Sequence, residues 1–289
     1  MAMTDRPSIV VVGSVNLDIV ATADRLPLAG ETVTGAELNR FPGGKGGNQA
    51  LAAKRLGADV SLVACVGKDG NANDALALLR DGGVDLSCCS TTDTAATGVA
   101  LIAVAPSGEN QIVVAPGANR ELRSDKIAIP VADALICQLE VPSATLVDVC
   151  AEFDGFVCVN LAPAMEVPVK LLRCADLLVV NETEADFYGN LLDESGGLVA
   201  KTLGAAGAKL LRKGEVIATV TSPAVTALDT TGAGDTFSAA LTIAMVEGQG
   251  HSAALKFACT AGAAAVTKAG AQPSLPFREE VEKLLLETE

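Results

Sequence analysis

The sequence predicts an α/β protein: a three-layer α/β/α sandwich with a mainly parallel central sheet and a small β-sheet lid. Three observations predict it. Short Val-, Ile- and Leu-rich runs recur along the chain with segments of helical spacing between them, and two other stretches alternate polar and apolar residues. The chain is also long and apolar enough to bury one large core: 289 residues, 49% hydrophobic and 19% charged.

Taken in order, residues 9–12, 60–66, 135–139, 156–160 and 177–180 are short, nearly uninterrupted apolar runs, which read as strands buried on both faces. Residues 48–56, 73–81 and 143–152 carry helical spacing and fall between those strands, the rhythm of a parallel sheet covered by helices on both sides. Residues 15–20 break the rhythm, because Val15, Leu17 and Ile19 point one way and Asn16 and Asp18 the other. Residues 97–114 read as two strands around the turn Pro106-Ser107-Gly108-Glu109-Asn110. Half-polar strands suit a thin sheet with one open face, so the lid is assigned to about residues 15–40 and 97–114, over the carboxyl edge of the parallel sheet. With no low-complexity linker and no internal repeat, residues 1–289 are read as a single domain.

Composition removes several function classes. Apolar side chains are too abundant for a disordered chain, and the 28 Gly show no period of three. The 35 acidic and 21 basic residues leave a net charge of −14, and aromatics make up 3% with no Trp and one Tyr, Tyr188; neither favours nucleic acid. Small anionic ligands must therefore be held by local devices against the net field. The eight Cys lie mostly in apolar runs without a C-x-x-C pair, and the sole histidine, His251, has no Cys near it, so reduced buried thiols are expected rather than zinc. There is no signal peptide and no apolar run of roughly 20 residues, so the expectation is a cytoplasmic protein without a membrane partner.

Three glycine-rich segments invite a phosphate reading. Phe41-Pro42-Gly43-Gly44-Lys45-Gly46-Gly47-Asn48-Gln49-Ala50 runs into a helix, but lacks the Ser or Thr of a Walker loop and the preceding long strand of a dinucleotide fingerprint. It is evenly balanced between a structural turn and a ligand loop. In Asp229-Thr230-Thr231-Gly232-Ala233-Gly234-Asp235-Thr236-Phe237, the residues Phe237, Ala240, Leu241, Ala244 and Met245 that follow mark an amphipathic helix. Gly232, Ala233 and Gly234 would present amides at its first turn, an anion hole for developing phosphoryl charge. Asp235 is either a plain dipole-stabilising acid or a base for an attacking hydroxyl; a carboxylate aimed at a phosphate is electrostatically unfavourable, which favours the base. The third segment, Thr202-Leu203-Gly204-Ala205-Ala206-Gly207, leaves an apolar strand and suits a nucleotide phosphate, though ordinary turns look the same.

Together these segments resemble the ribokinase-like (phosphofructokinase-B) sugar kinases. The resemblance covers nearly the whole chain and also includes Gly13-Ser14-Val15-Asn16-Leu17-Asp18, Gln138-Leu139-Glu140, Asn181-Glu182-Thr183-Glu184 and Gly270-Ala271-Gln272-Pro273-Ser274. It implies an ATP-dependent kinase acting on the 5-hydroxyl of D-ribose, with Asp235 as base and the Gly232–Gly234 amides as anion hole. It implies Asn16, Asp18, Gly44, Lys45, Asn48 and Glu140 as sugar ligands, and Thr202 to Gly207 with Asn181, Gly234 and Cys259 around ATP. Asn181 and Glu184 would support Mg2+ through water; Asp229, Thr231, Ala265, Lys268, Gly270 and Ser274 would hold K+. A homodimer clasped through residues 15–20 and 99–104 of the lid is expected.

Two departures stand out. Residues 184–201 are short for the family, so a helix there is expected to be trimmed. Cys259 stands where a polar residue often lies near adenine. Another sugar or a nucleoside remains an alternative acceptor. A nicotinamide enzyme is more remote, because Gly13-Ser14-Val15-Asn16 does not supply Gly-x-Gly-x-x-Gly.

Overall fold

In the computed structural model, which describes residues 6–288, alternate residues of the first apolar run face opposite sides: Ile9 and Val11 join one core, Val10 and Val12 the other, all fully buried. In chain order the strands are β1 (Ser8–Val12), β2 (Asn16–Thr22), β3 (Glu37–Gly43), β4 (Asp59–Gly67), β5 (Cys89–Thr92), β6 (Gly98–Val104) and β7 (Asn110–Ala115). They continue with β8 (Ala134–Gln138), β9 (Phe156–Asn160), β10 (Leu177–Val180), β11 (Leu198–Thr202), β12 (Ala208–Arg212) and β13 (Glu215–Val220). The α-helices are α1 (Lys45–Arg55), α2 (Gly70–Ala75), α3 (Ala77–Asp81), α4 (Ser143–Glu152) and α5 (Val169–Cys174). They continue with α6 (Glu182–Tyr188), α7 (Ala233–Val246), α8 (His251–Ala265), α9 (Ala271–Ser274) and α10 (Arg278–Glu287).

Among the described residues nine strands form the central sheet in the order β13-β12-β11-β10-β9-β8-β1-β4-β5, all running one way except β12, which is antiparallel to both its neighbours. Helices α1, α7 and α8 pack on one face and α4 and α5 on the other, giving the expected three layers. A separate four-stranded sheet, β3-β2-β6-β7, forms the lid. Its register pairs Asp18 with Ala100 and Ala100 with Val114, so these three side chains share the face turned to the body.

Strand ends such as those of β1, β2, β4 and β8 shift by one or two residues from the expectation, and three differences are larger. The lid strand β3 runs on through Phe41 and Pro42 to Gly43, beyond the residue-40 limit, and delivers the chain directly into α1. Helix α1 starts at Lys45 rather than Asn48 despite the weak helix propensity of Gly46 and Gly47, because packing requires glycine there: a Cβ on Gly46 would sit 2.6 Å from the Gly13 carbonyl carbon. The single helix expected over 73–81 is two short ones meeting at buried Leu76. The first starts early because the Asp69 carboxylate accepts from the Ala72 amide at 3.0 Å. After residue 184, α6 ends at its seventh residue and gives way to a 3-10 turn, Gly189–Glu194. Among the described residues no helix is long and apolar enough to cross a membrane, and the cysteines are unpaired.

Candidate active site

Parallel strands aim their carboxyl ends at one edge of the sheet, the usual ligand crevice of such folds. Here β1, β8, β9, β10 and β11 end around a cavity of about 390 Å³, roofed by β2, β6 and β7 of the lid. Its floor and walls carry Asn48, Glu140, Asn160, Asn181, Glu184 and Asp235, and its roof carries Asn16, Asp18, Ala100, Ile102, Ile112 and Val114.

The buried Gly44, at φ 84°, caps α1 in a conformation open to glycine, and a Cβ there would lie 2.7 Å from the Asn16 amide nitrogen. Gly46 and Gly47 are buried in the first turn against Ser14, whose carbonyl accepts from the Gly47 amide at 2.9 Å. The glycine run is therefore a packing device that sets Lys45 and Asn48 at the cavity wall. Glu140 follows the end of β8 and is no solvated strand end. It accepts from the Lys45 amide at 3.1 Å and from the Ser14 hydroxyl, a carboxylate seated at the N-terminus of α1. Asn16 is 3% exposed, and its side-chain oxygen accepts from Asn119 Nδ2 at 2.7 Å.

Gly232, at φ 82°, caps α7, and Asp235 lies in that helix's first turn with only 6% of its surface exposed. Its Oδ2 accepts from Asn48 Nδ2 and its Oδ1 from Gln49 Nε2, both at 2.9 Å. Burial raises the Asp235 pKa above the ordinary carboxylate range, against the pull of Lys45 and the two amides. Asp18 is raised to about 7, by burial first and then by the charges of Glu140 and Asp235. Lys45 is held above the usual lysine value: burial alone would lower it, but Asp235, Glu140 and Glu184 outweigh that. The site thus keeps one ammonium among four carboxyl groups. Gly232 and Gly234 line the cavity, and a Cβ on Gly234 would meet nothing within 4 Å, so the space before that turn is open. Ala233 does not line it, and its amide donates to the Thr230 carbonyl at 3.3 Å; the expected three-amide cradle narrows to Gly232 and Gly234.

A profile of the pfkB family carbohydrate kinases matches residues 6–278 of the chain. This chain belongs to that family. It is 36% identical to the ribokinase of Haemophilus influenzae, an alignment covering 97% of this chain and 99% of the relative. With the ribokinase of Bacillus subtilis it shares 38% identity, over 96% of this chain and 99% of the other. The crystal structure of Thermotoga maritima ribokinase superposes with a TM-score of 0.88 at 34% identity, covering 97% of this chain and 99% of that one. The Arabidopsis thaliana ribokinase complexed with ribose and ATP gives 0.86 at 31% identity, over 97% and 99%.

In this pfkB-family kinase, Asn181 and Glu184 lie at the far end of the cavity in a reciprocal capping box. The Asn181 amide donates to Glu184 and the Glu184 amide to Asn181 Oδ1, both at 2.8 Å. One Glu184 oxygen is thus engaged and the carboxylate still faces the cavity, a hard oxygen donor that suits Mg2+ held through water. Of the expected ATP loop, Thr202 lines the cavity, whereas Gly204, Ala205 and Ala206 are exposed outside it. The Leu203 and Gly207 amides are used within the turn, bonding to the Gly207 and Gly204 carbonyls at 2.8 and 3.1 Å. Cys259 does not line the cavity; it is buried in the α8 core, and burial pushes its thiol up to about 12.

The cation residues form a loop clasp. Asp229 accepts from the Thr231 amide and hydroxyl at 2.9 and 2.7 Å and from the Gly270 amide at 2.8 Å. Although burial works the other way, these bonds hold its carboxyl below the ordinary value. Lys268 is committed to Glu280 at 2.6 Å and the Ser274 hydroxyl to the Ala271 carbonyl at 2.8 Å. Main-chain oxygens of Asp229, Thr231, Ala265, Lys268 and Gly270 are the donors to consider, the type a weakly hydrated K+ takes.

Gln49, Gln138 and Asn160 were not among the expected site residues. A polar side chain closing a buried apolar strand, as Gln138 and Asn160 do in β8 and β9, is the signal that could have found two of them.

Proposed function

We propose that this kinase transfers the γ-phosphoryl group of ATP to the 5-hydroxyl of D-ribose, giving D-ribose 5-phosphate and ADP. The observation that carries the reading is Asp235 at the mouth of α7, beside Gly232 and Gly234, in one cavity with Asn16, Asp18, Asn48 and Glu140. Curated relatives near 35% identity over almost the full chain are ribokinases, which supports ribose as acceptor.

Phosphoryl transfer asks for position and charge rather than covalent catalysis. Asp18, Asn16, Asn48 and Glu140 supply acceptors and donors for the hydroxyls of a small polyol. The apolar Ala100, Ile102 and Val114 of the lid would lie against its C–H edges and help exclude water. Asp235 orients the 5-hydroxyl and takes its proton. Lys45 and the Gly232 and Gly234 amides, at the positive end of the α7 dipole, stabilise the charge on the transferring group. Asn181 and Glu184 would hold Mg2+ through water, and the ion would supply positive charge against the ATP phosphates. K+ in the 229–231 and 265–274 loops would stiffen the turn that carries Gly232.

The outward face of the lid is apolar and open, with Leu38, Leu101 and Val113 each more than half exposed, and a homodimer clasped through it is part of this reading. An ADP-release assay over ribose, deoxyribose, fructose and nucleosides, with and without K+ and with Mg2+ chelated, tests it. Ribose should give the highest kcat/KM and K+ should raise it. Preference for a nucleoside, or no ADP release above hydrolysis with any sugar, would overturn it.

A further inference from the structure

We propose that Gln49 is a positioning residue for the base Asp235, and that Gln138 aims the Gln49 amide. The inference rests on the reading of Asp235 as the base and goes one layer behind it.

Gln49 and Gln138 are completely buried, where an amide is retained only if its hydrogen bonds justify the desolvation. The Gln49 orientation is over-determined. Its Oε1 accepts from Gln138 Nε2 at 2.7 Å, so its two N–H groups must point away from Gln138. One donates to Asp235 Oδ1 at 2.9 Å and the other toward Asn160 Oδ1 at 3.3 Å. Asn160 is itself oriented, because its Nδ2 donates to the Val179 carbonyl at 3.3 Å. A flipped Gln49 would set its oxygen against two acceptors and its nitrogen against a donor.

Its neighbour differs. Asn48 also donates to Asp235, yet its Oδ1 is buried without a partner at the cavity wall, which leaves that amide to the sugar. Gln49 makes no such offer; its hydrogen bonds are spent on the body of the protein. Asp235 therefore has one oxygen tied to a sugar-facing amide and the other to a fixed internal one, so its plane is set before the acceptor arrives.

Gln138 carries the mark of a functional compromise. Its Oε1 is buried and unpartnered, which a purely structural residue would avoid. Room for it exists because residue 13 has no side chain: a Cβ on Gly13 would lie 1.9 Å from that oxygen. Gly13, Gln138, Gln49 and Asp235 form one line from the end of β1 to the base.

The test uses the full-length enzyme with D-ribose and MgATP, comparing Gln49→Met, Gln138→Met, the double variant and Asp235→Asn. Methionine keeps the length and removes the hydrogen bonds. A hydrogen bond to a charged group gone, Gln49→Met should lower kcat about 10- to 100-fold. The acid limb of kcat, read at saturating ribose where the sugar-binding Asp18 does not set the profile, should move up by about one pH unit because the ionised Asp235 carboxylate loses a donor, with ribose KM within about threefold. Gln138→Met should shift both in the same direction by less, with some loss of Tm because the buried Gln49 Oε1 loses its donor, and the double variant should be no worse in kcat than Gln49→Met. A merely structural glutamine would lower Tm and leave the pH profile in place. Unchanged kcat and acid limb in Gln49→Met, with Asp235→Asn inactive, would overturn this inference alone; an active Asp235→Asn would overturn the base reading beneath it. If Gln49→Met does not fold, an unshifted acid limb in Gln138→Met overturns the proposal.

Discussion

Gln49, Gln138, Asn160 and Asp235 sit at the carboxyl edge of the nine-stranded sheet with at most 6% of their surface exposed, whereas every residue of β7 in the lid is exposed. Both regions face the same cavity. At the edge each polar group is held by another that is itself held, and the strands behind it are buried on both faces. The lid is one sheet thick, joined to the body at Asn16 through Asn119 and at Arg40 through Asn71 and Asp74. Few buried contacts make an element easy to move, and dense ones make it precise. On the proposed reading the edge performs the chemistry, and the lid helps to recognise the sugar and controls access.

The sharpest way to break that division is Asp235→Asn. Removing a general base should lower kcat about 10²- to 10⁴-fold with ribose KM within about threefold, measured by ADP release. A large change in KM with kcat preserved would move the chemistry off the edge.

Asp18→Asn, on the lid, should do the reverse. Losing a charged acceptor for sugar hydroxyls raises ribose KM about 10- to 100-fold while kcat stays within a few-fold. Its folded pKa of about 7 lies above the ordinary 3.8, so the folded protein keeps a proton that the unfolded chain has released. Stability contributed by that protonation is present at low pH and is lost as pH rises through about 7. Asn cannot ionise; at pH 8 the variant should melt about 2–6 °C higher than the parent, with no gain at pH 4. In the parent, kcat/KM for ribose should rise as Asp18 ionises through about pH 7.

The pair Leu101→Glu and Val113→Glu charges the open face of the lid. Sedimentation should then report a monomer, with a several-fold rise in KM as the roof loses support. A parent that is already monomeric would remove the dimer from the account. Smallest of all, Arg40→Ala cuts an exposed tie between lid and body, worth about 0.2–1 kcal/mol, so KM should rise by no more than about fivefold.

The legibility of the sequence follows the same division. Residues 9–12, 156–160 and 177–180 read as strands because burial on both faces leaves little but Val, Ile, Leu and Cys, and the structure has them as β1, β9 and β10, β1 with Ser8 added at its start. Helix α4 matches its expected span, and the hairpin of β6 and β7 follows its turn residues. What local pattern could not reveal is tertiary. Gly46 and Gly47 stand in a helix against their own propensity because the Gly13–Ser14 backbone leaves no room for a Cβ on the first and the Gln272 side chain crowds the second. Thr202 to Gly207 has the composition of a phosphate loop, and composition does not show that its Leu203, Ala206 and Gly207 amides bond within the turn. Gln49 follows Asn48 with nothing in the spacing to show that it points to a residue 186 positions away.

In the proposed reaction Asp235, held at the first turn of α7, takes the proton of the acceptor hydroxyl. A crystal structure with ribose and a non-hydrolysable ATP analogue measures it directly. An Asp235 oxygen is expected about 2.6–3.2 Å from the ribose 5-hydroxyl, with the γ-phosphoryl group against the Gly232 and Gly234 amides. A closed complex in which that hydroxyl lies beyond hydrogen-bond reach of Asp235, with another residue in its place, would contradict it.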